Sequence, residues 1–319
     1  MIKQTILAVA LTSFAFVVQA EEWTMSTHAP DGNFHTQNAV KFAEDVARLS
    51  DGELTINITS NSALLKRAEL KRGVQKGIIP IGEVLISALG NEDAAFAADA
   101  VPLLATTFAS AKKLWDASKP VYDKKLASDG LMSLYSVPWP PQGIYMKDAV
   151  SSGADFKGVK FRAYNSSTAR LAELLGAVPA TISSSEISQA FSSGVIAGMI
   201  TSPTTGVDSQ AWDFVDNYYD VKAFIPKNFV IVNKDSFDAL SEKSQQALVE
   251  AAVIAEVRGW EMAIKATNDA TQVLSDNGMT VFETPVQLTK DFAVIGATML
   301  EEWKVSAGAD AAAIIDAMK

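Results

Sequence analysis

The chain has no cysteine and only two histidines, His28 and His35, in 319 residues. Without cysteine there can be no disulfide, thiolate metal site or cysteine nucleophile, so stability must come from packing. Two histidines are too few for a histidine-based zinc site. No G-x-S-x-G, P-loop, G-x-G-x-x-G or H-E-x-x-H pattern occurs. The run Ser183-Ser184-Ser185 has no histidine base near it and reads better as a helix cap. Basic residues are outnumbered, 27 Lys and Arg against 37 Asp and Glu, for a net charge of −10. That balance argues against nucleic acid or an anionic membrane surface as partner. It leaves a small anionic ligand open, because local charge governs a site. There is no repeat, low-complexity tract or linker.

At 48% hydrophobic and 20% charged, the chain can bury substantial cores, and its length allows two domains. Met1 to Ala20 carries an early lysine, a short apolar run, and small residues Val18 and Ala20 flanking Gln19. This is the pattern of a cleaved secretory leader. The run falls short of the roughly 20 apolar residues a spanning helix needs. No later stretch reaches that length, and no insertion of the mature chain into a membrane is expected.

The most informative stretch is Phe156 to Pro203. Val159-Lys160-Phe161-Arg162 alternates as a strand after Gly158. Ser166-Ser167-Thr168 can cap a helix over Ala169 to Leu175, ended by Gly176. Ser183 to Glu186 fits a capping box opening a second helix that stops at Gly194. Val195 to Ile200 is a second strand, closed by Thr201-Ser202-Pro203. Such a strand-helix-helix-strand unit suits a parallel sheet. Ligands of open α/β sheets sit beyond the carboxyl ends of the strands, where Arg162 and Thr201-Ser202 stand. The planar fork of an arginine matches a carboxylate. The same arginine could instead pair with an acid of its own chain.

The pattern GVKFR, a glycine-ended helix, then a helix and a strand ending in IAGMITSP resembles the solute-binding subunit of TRAP transporters, the dicarboxylate-binding-protein family. The likeness extends over nearly the whole mature chain. It includes an opening strand and helix, the strand Leu54 to Ile58, and the helix Asn61 to Gly77. It also includes the segment Asp99 to Leu104 and the breaker-poor run Ser241 to Asn277. The resemblance implies an α/β, two-lobed periplasmic binding protein fold, with a long helix spanning both lobes and a ligand cleft between them. The division expected is a signal peptide over 1–20, one lobe from 21–140 and 229–265, and the other from 141–228 and 266–319.

The family's strand-end arginine grips a ligand carboxylate, and here that position is Arg162. Many members carry a second arginine two residues after the glycine of the first crossing. Here that residue is Tyr145, so no obvious second cation is expected and a monocarboxylate is favoured. Trp139, Gln142 and Tyr145 are candidate cleft residues from the proline-stiffened crossing Leu131 to Tyr145. Trp139 could equally pack a hinge. Glu83 interrupts an apolar strand, where an unpaired carboxylate would be costly, so it should face the cleft or an arginine. His28, just past a strand end, faces either the ligand or solvent. Thr201, Ser202 and Ser184 complete the candidates. The basic residues Lys66, Arg67, Lys71, Arg72 and Lys76 read as a solvated helix face.

The resemblance implies a periplasmic protein that captures a small organic acid and delivers it to a membrane-embedded permease. It needs no cofactor and catalyses nothing. A ligand sensor feeding a receptor is the alternative, and a cleft enzyme the remaining one.

Overall fold

The structure, a computed structural model, describes residues 20–319. The expected leader lies, apart from Ala20, outside the described residues. Among the described residues, eleven strands form two sheets. In chain order they are β1 (Glu21–Ser26), β2 (Leu54–Thr59), β3 (Ile81–Leu85), β4 (Leu131–Pro138), β5 (Gly143–Met146), β6 (Lys160–Ala163), β7 (Val178–Thr181), β8 (Gly198–Thr201), β9 (Asn217–Tyr219), β10 (Lys227–Asn233) and β11 (Thr280–Phe282).

The first sheet runs β2-β1-β3-β10-β4 and the second β11-β9-β5-β8-β6-β7. In each, a strand arriving from the other lobe is inserted antiparallel among parallel neighbours. β10 lies between β3 and β4, and β5 lies between β8 and β9. β10 is buried at every position. That explains its unbroken FVIVN run, since a strand covered on both faces has no polar side to alternate.

The chain crosses between the sheets at 139–142 and returns at 220–226. The two crossings lie side by side. Trp139 N–H donates to Pro226 O at 2.8 Å, Gln142 N–H to Phe224 O at 3.0 Å, and Ala223 N–H to Gln142 O at 3.0 Å.

The breaker-poor run forms one 35-residue helix, Glu242–Asp276, capped by the Ser241 hydroxyl, which accepts from Ser244 N–H. At 1.5 Å per residue it is about 52 Å long. Leu248, Ala251, Ala252 and Ala255 enter the core of the first lobe, and Leu274 enters that of the second. Gly259 allows this close seat. A Cβ there would lie 2.5 Å from Val137 Cγ2 and 2.8 Å from Asn38 Nδ2. The later helices bridge too. Phe292 and Ile295 pack in the second lobe. Trp303 donates to Ala94 O at 2.9 Å, and Ile314 meets Leu114 in the cluster beneath the helix Phe108–Ser128.

Two local expectations need correction. A strand intervenes between the helices after Arg162. β7 follows Gly176 and pairs parallel with β6, so the unit is strand-helix-strand-helix-strand. Its sequence, Val-Pro-Ala-Thr, is exposed or half-buried and holds a proline, as an edge strand tolerates. The long helix read over Asn61 to Gly77 is only a 3-10 turn, Arg67–Glu69, and a short helix, Leu70–Gln75. The stretch before it has positive φ at Asn61 and Ser62, a conformation no helix continues.

Candidate functional site

Between the lobes lies a cavity, about 350 Å³ of space counted to its mouth. β6 brings Arg162 to it. The strand pairs with β7 on one side and β8 on the other, with Arg162 opposite Ala180 and Met199. The side chain is 1% exposed. Its Nε–H donates to Ile182 O at 3.0 Å, while Nη1 is buried with no partner among the described residues. Asn165 caps the next helix, Ser166–Leu174, by accepting from Thr168 N–H, and so stops the strand just past Arg162. The cap thus lies one residue before the expected Ser166 to Thr168.

Tyr164 stands beside the arginine, its ring centroid 5.4 Å from the Arg162 guanidinium carbon and 5.6 Å from that of Arg67. Its hydroxyl donates to Gln142 Oε1 at 3.1 Å, and Gln142 Nε2 donates in turn to Pro140 O at 2.8 Å. The first crossing is therefore fastened to the arginine's neighbour. Burial first, and then the charge of Arg67, push the Arg162 guanidinium down to about 9 from an ordinary 12.5. Burial pushes Arg67 down to about 10. Both remain charged at neutral pH.

The other wall comes from the first lobe. His28 is 5% exposed, and its Nδ1 is buried with no partner among the described residues. Burial, and then Arg67, push its pKa down to about 3, so the ring is neutral. Trp139 lies against His35 with centroids 4.1 Å apart, and its Nε1–H donates to Asn228 Oδ1 at 2.9 Å. It serves core and cavity together. Ser202 caps the short helix after β8, accepting from Thr205 N–H and bonding the Thr204 and Thr205 hydroxyls. Thr201, Ser202 and Thr205 form a hydroxyl rim, with the half-buried Ser184 nearby and Leu85 and Pro226 as apolar floor.

Seven of the sequence candidates therefore line one cavity: Arg162, Trp139, Gln142, Thr201, Ser202, Ser184 and His28. Two do not. Tyr145 is wholly buried in the second lobe against Tyr218, centroids 4.8 Å apart, with its hydroxyl donating to Ser202 O. Gly206 makes room for it, since a Cβ there would sit 2.1 Å from Tyr145 Oη. Glu83 points behind the cavity wall, where His35 Nδ1 lies 2.9 Å from its Oε1. Burial works to raise the Glu83 carboxyl, but the charge of His35 and the hydrogen bond from it hold it below its ordinary range.

Sequence reading missed Arg67, Tyr164, Thr205, Leu85 and Pro226. Arg67 corrects two expectations, that its basic run is a solvated face and that the site lacks a second cation. Its neighbour Lys71 is tied to Glu92 and Asp129, while Arg67 reaches across the cleft to donate to Tyr164 O at 3.2 Å. Tyr164, two residues beyond Arg162 on an extended chain, could have been found by strand alternation.

Two more side-chain bonds join the lobes. Asn165 Nδ2 donates to Ser87 Oγ at 3.0 Å, and Asn33 Nδ2 to Asp208 Oδ2 at 2.7 Å. Among the described residues no helix is long and apolar enough to cross a membrane.

DctP7, an extracytoplasmic solute receptor of Bordetella pertussis whose crystal structure binds pyroglutamic acid, is similar at 51% identity and a TM-score of 0.93. The match covers 94% of this chain and 99% of that one. DctP6 of the same organism, also binding pyroglutamic acid, is 41% identical with a TM-score of 0.92, over 93% and 99% of the two chains. A marine metagenome TRAP solute-binding protein specific for pyroglutamate is 39% identical with a TM-score of 0.92, over 94% and 99%. Residues 25–304 match the model of the family described as bacterial extracellular solute-binding protein, family 7. With the two-lobed fold and its cleft, these matches make the chain a member of that family, the DctP-type solute-binding proteins of TRAP transporters.

Proposed function

We propose that this protein binds pyroglutamate, as a monocarboxylate, in the cleft between its lobes and hands it to a membrane-embedded permease. The observation that carries the reading is Arg162, a buried guanidinium with a free Nη1 at the cavity. A buried charge without a partner is costly, and a ligand carboxylate would relieve that cost. The lactam ring suits the remaining wall. Trp139, Leu85 and Pro226 can cover its carbons, and hydroxyls and the neutral His28 can meet its N–H and C=O. The similarity to receptors that bind pyroglutamic acid supports the same ligand.

The leader expected over residues 1–20 and the extracytoplasmic character of the family support a periplasmic location. Closure would turn about the paired crossings at 139–142 and 223–226. Residues 21–140 with 229–265 would move as one lobe, and 141–228 with the start of the C-terminal part as the other. A ligand touching both lobes favours the closed state.

Titration calorimetry with pyroglutamate tests the ligand, with one site per chain expected. Thermal or chemical denaturation should show a gain of about 2.7 kcal/mol at a hundredfold excess over Kd. Binding of other organic acids without pyroglutamate would overturn the ligand. Binding of no organic acid would overturn the function.

A further inference from the structure

Two guanidiniums reach one cavity from opposite lobes, Arg67 from the first and Arg162 from the second. Neither forms an ion pair among the described residues, in a chain with ten more acidic than basic groups. The nearby carboxylates are spoken for. Glu83 is held by His35, Asp99 lies beside Lys227, and Asp208 accepts from Asn33. Among the described residues, no side chain lining the cavity is a carboxylate.

Arg67 is placed there by construction. The turn Arg67–Glu69 is closed by Glu69, whose Oε2 accepts from Lys66 N–H at 3.3 Å. Leu65 is seated over Gly73, where a Cβ would lie 2.4 Å from Leu65 Cδ1. The guanidinium then bonds Tyr164 O and lies by the same ring as Arg162.

We propose that Arg67, brought across the cleft onto Tyr164, is a second cationic ligand contact and the residue by which this site rejects ammonium-bearing ligands. A site with two fixed cations and no anion is attractive to a carboxylate and repels a protonated amine beside it. Repulsion of that kind sets specificity as much as attraction does. An α-amino acid carries such an amine, whereas a lactam has converted it to a neutral amide. The inference deepens the reading of a carboxylate site and rests on it.

The test compares pyroglutamate, tetrahydrofuran-2-carboxylate and proline in calorimetry on the wild type, Arg67→Gln and Arg67→Lys. The last two ligands share ring and carboxylate, and only proline carries the charged nitrogen. In the wild type proline should bind at least about a hundredfold more weakly than tetrahydrofuran-2-carboxylate, and Arg67→Gln should narrow that ratio by at least about tenfold. Pyroglutamate should weaken in the same variant. Arg67→Lys keeps the charge and should keep the rejection, and Arg67→Met, which also removes the charge, stands in if Arg67→Gln fails to fold.

An unchanged ratio in Arg67→Gln overturns the proposal, whether or not melting temperature falls, because a merely structural latch affects all three ligands alike. Loss of rejection in Arg67→Lys overturns it as well. Failure of pyroglutamate alone to bind the wild type refutes the assigned ligand and leaves the ratio readable. If none of the three binds, the ratio is read on the carboxylate found by screening and its α-amino counterpart.

Discussion

His35 Nδ1 and Glu83 Oε1 lie 2.9 Å apart with side chains 0% and 3% exposed, directly behind the aromatic wall of the cleft. The ring donates, because a carboxylate can only accept. The same ring packs on Trp139. The pair therefore supports a cavity residue without touching the cavity. Glu83→Ala should destabilise the protein by about 3–5 kcal/mol, the cost of leaving one buried partner uncompensated. The folded carboxyl lies below its ordinary 4.5, so the stabilisation is complete above that value and is lost as pH falls through the folded pKa. Denaturation at neutral and acid pH should show the wild-type advantage over Glu83→Gln shrinking below that point. A constant difference would mean that the charge contributes nothing.

Arg162→Lys should weaken carboxylate binding by at least about tenfold while leaving the ligand-free protein nearly as stable. Hydrogen bonds to charged groups contribute about 1.5–3 kcal/mol, and each 1.4 kcal/mol is tenfold. A lysine offers a point charge where the fork offered two parallel donors. Calorimetry and melting measured together separate the readings. Unchanged affinity with a clear loss of stability would make Arg162 scaffold.

Tyr145→Phe should cost stability about 0.5–1.5 kcal/mol, one hydrogen bond's worth, and should change ligand affinity by less than about threefold. Its hydroxyl holds Ser202 O from behind and does not line the cavity. A larger loss of affinity in calorimetry would return Tyr145 to the site.

His28 should make the protein less stable as pH falls, without altering ligand binding near neutrality. Its folded pKa of about 3 lies below the ordinary 6.5, so between the two the unfolded chain holds more protons. Stability then falls as pH drops from 6.5 toward 3. Chemical denaturation of His28→Gln across that window should show a shallower decline than the wild type. An equal slope would place the titration elsewhere.

Much of this protein was legible in local sequence. Strand-ending residues, glycines such as Gly176 with φ of 77°, and the breaker-poor run capped by Ser241 carry their signal within a few residues. The position of Arg162 at the cavity was legible for the same reason, since it ends a strand that helix-capping residues follow. Glu83 and Tyr145 misled because an apolar strand buried on both faces gives no sign of which side meets the cleft. What His35 holds, 48 residues away, is a matter of packing. Arg67 is the sharpest case. Its sequence neighbourhood is one of several basic residues, and propensity cannot rank them. Only the juxtaposition of two lobes, 97 residues apart along the chain at Tyr164, gives one of them a place at the cavity. The sequence by itself determined most of the elements and the place of Arg162 at a strand end, because capping, periodicity and glycine φ are local. The tertiary structure decided which charges remain unpaired, because pairing depends on what folding brings across the cleft.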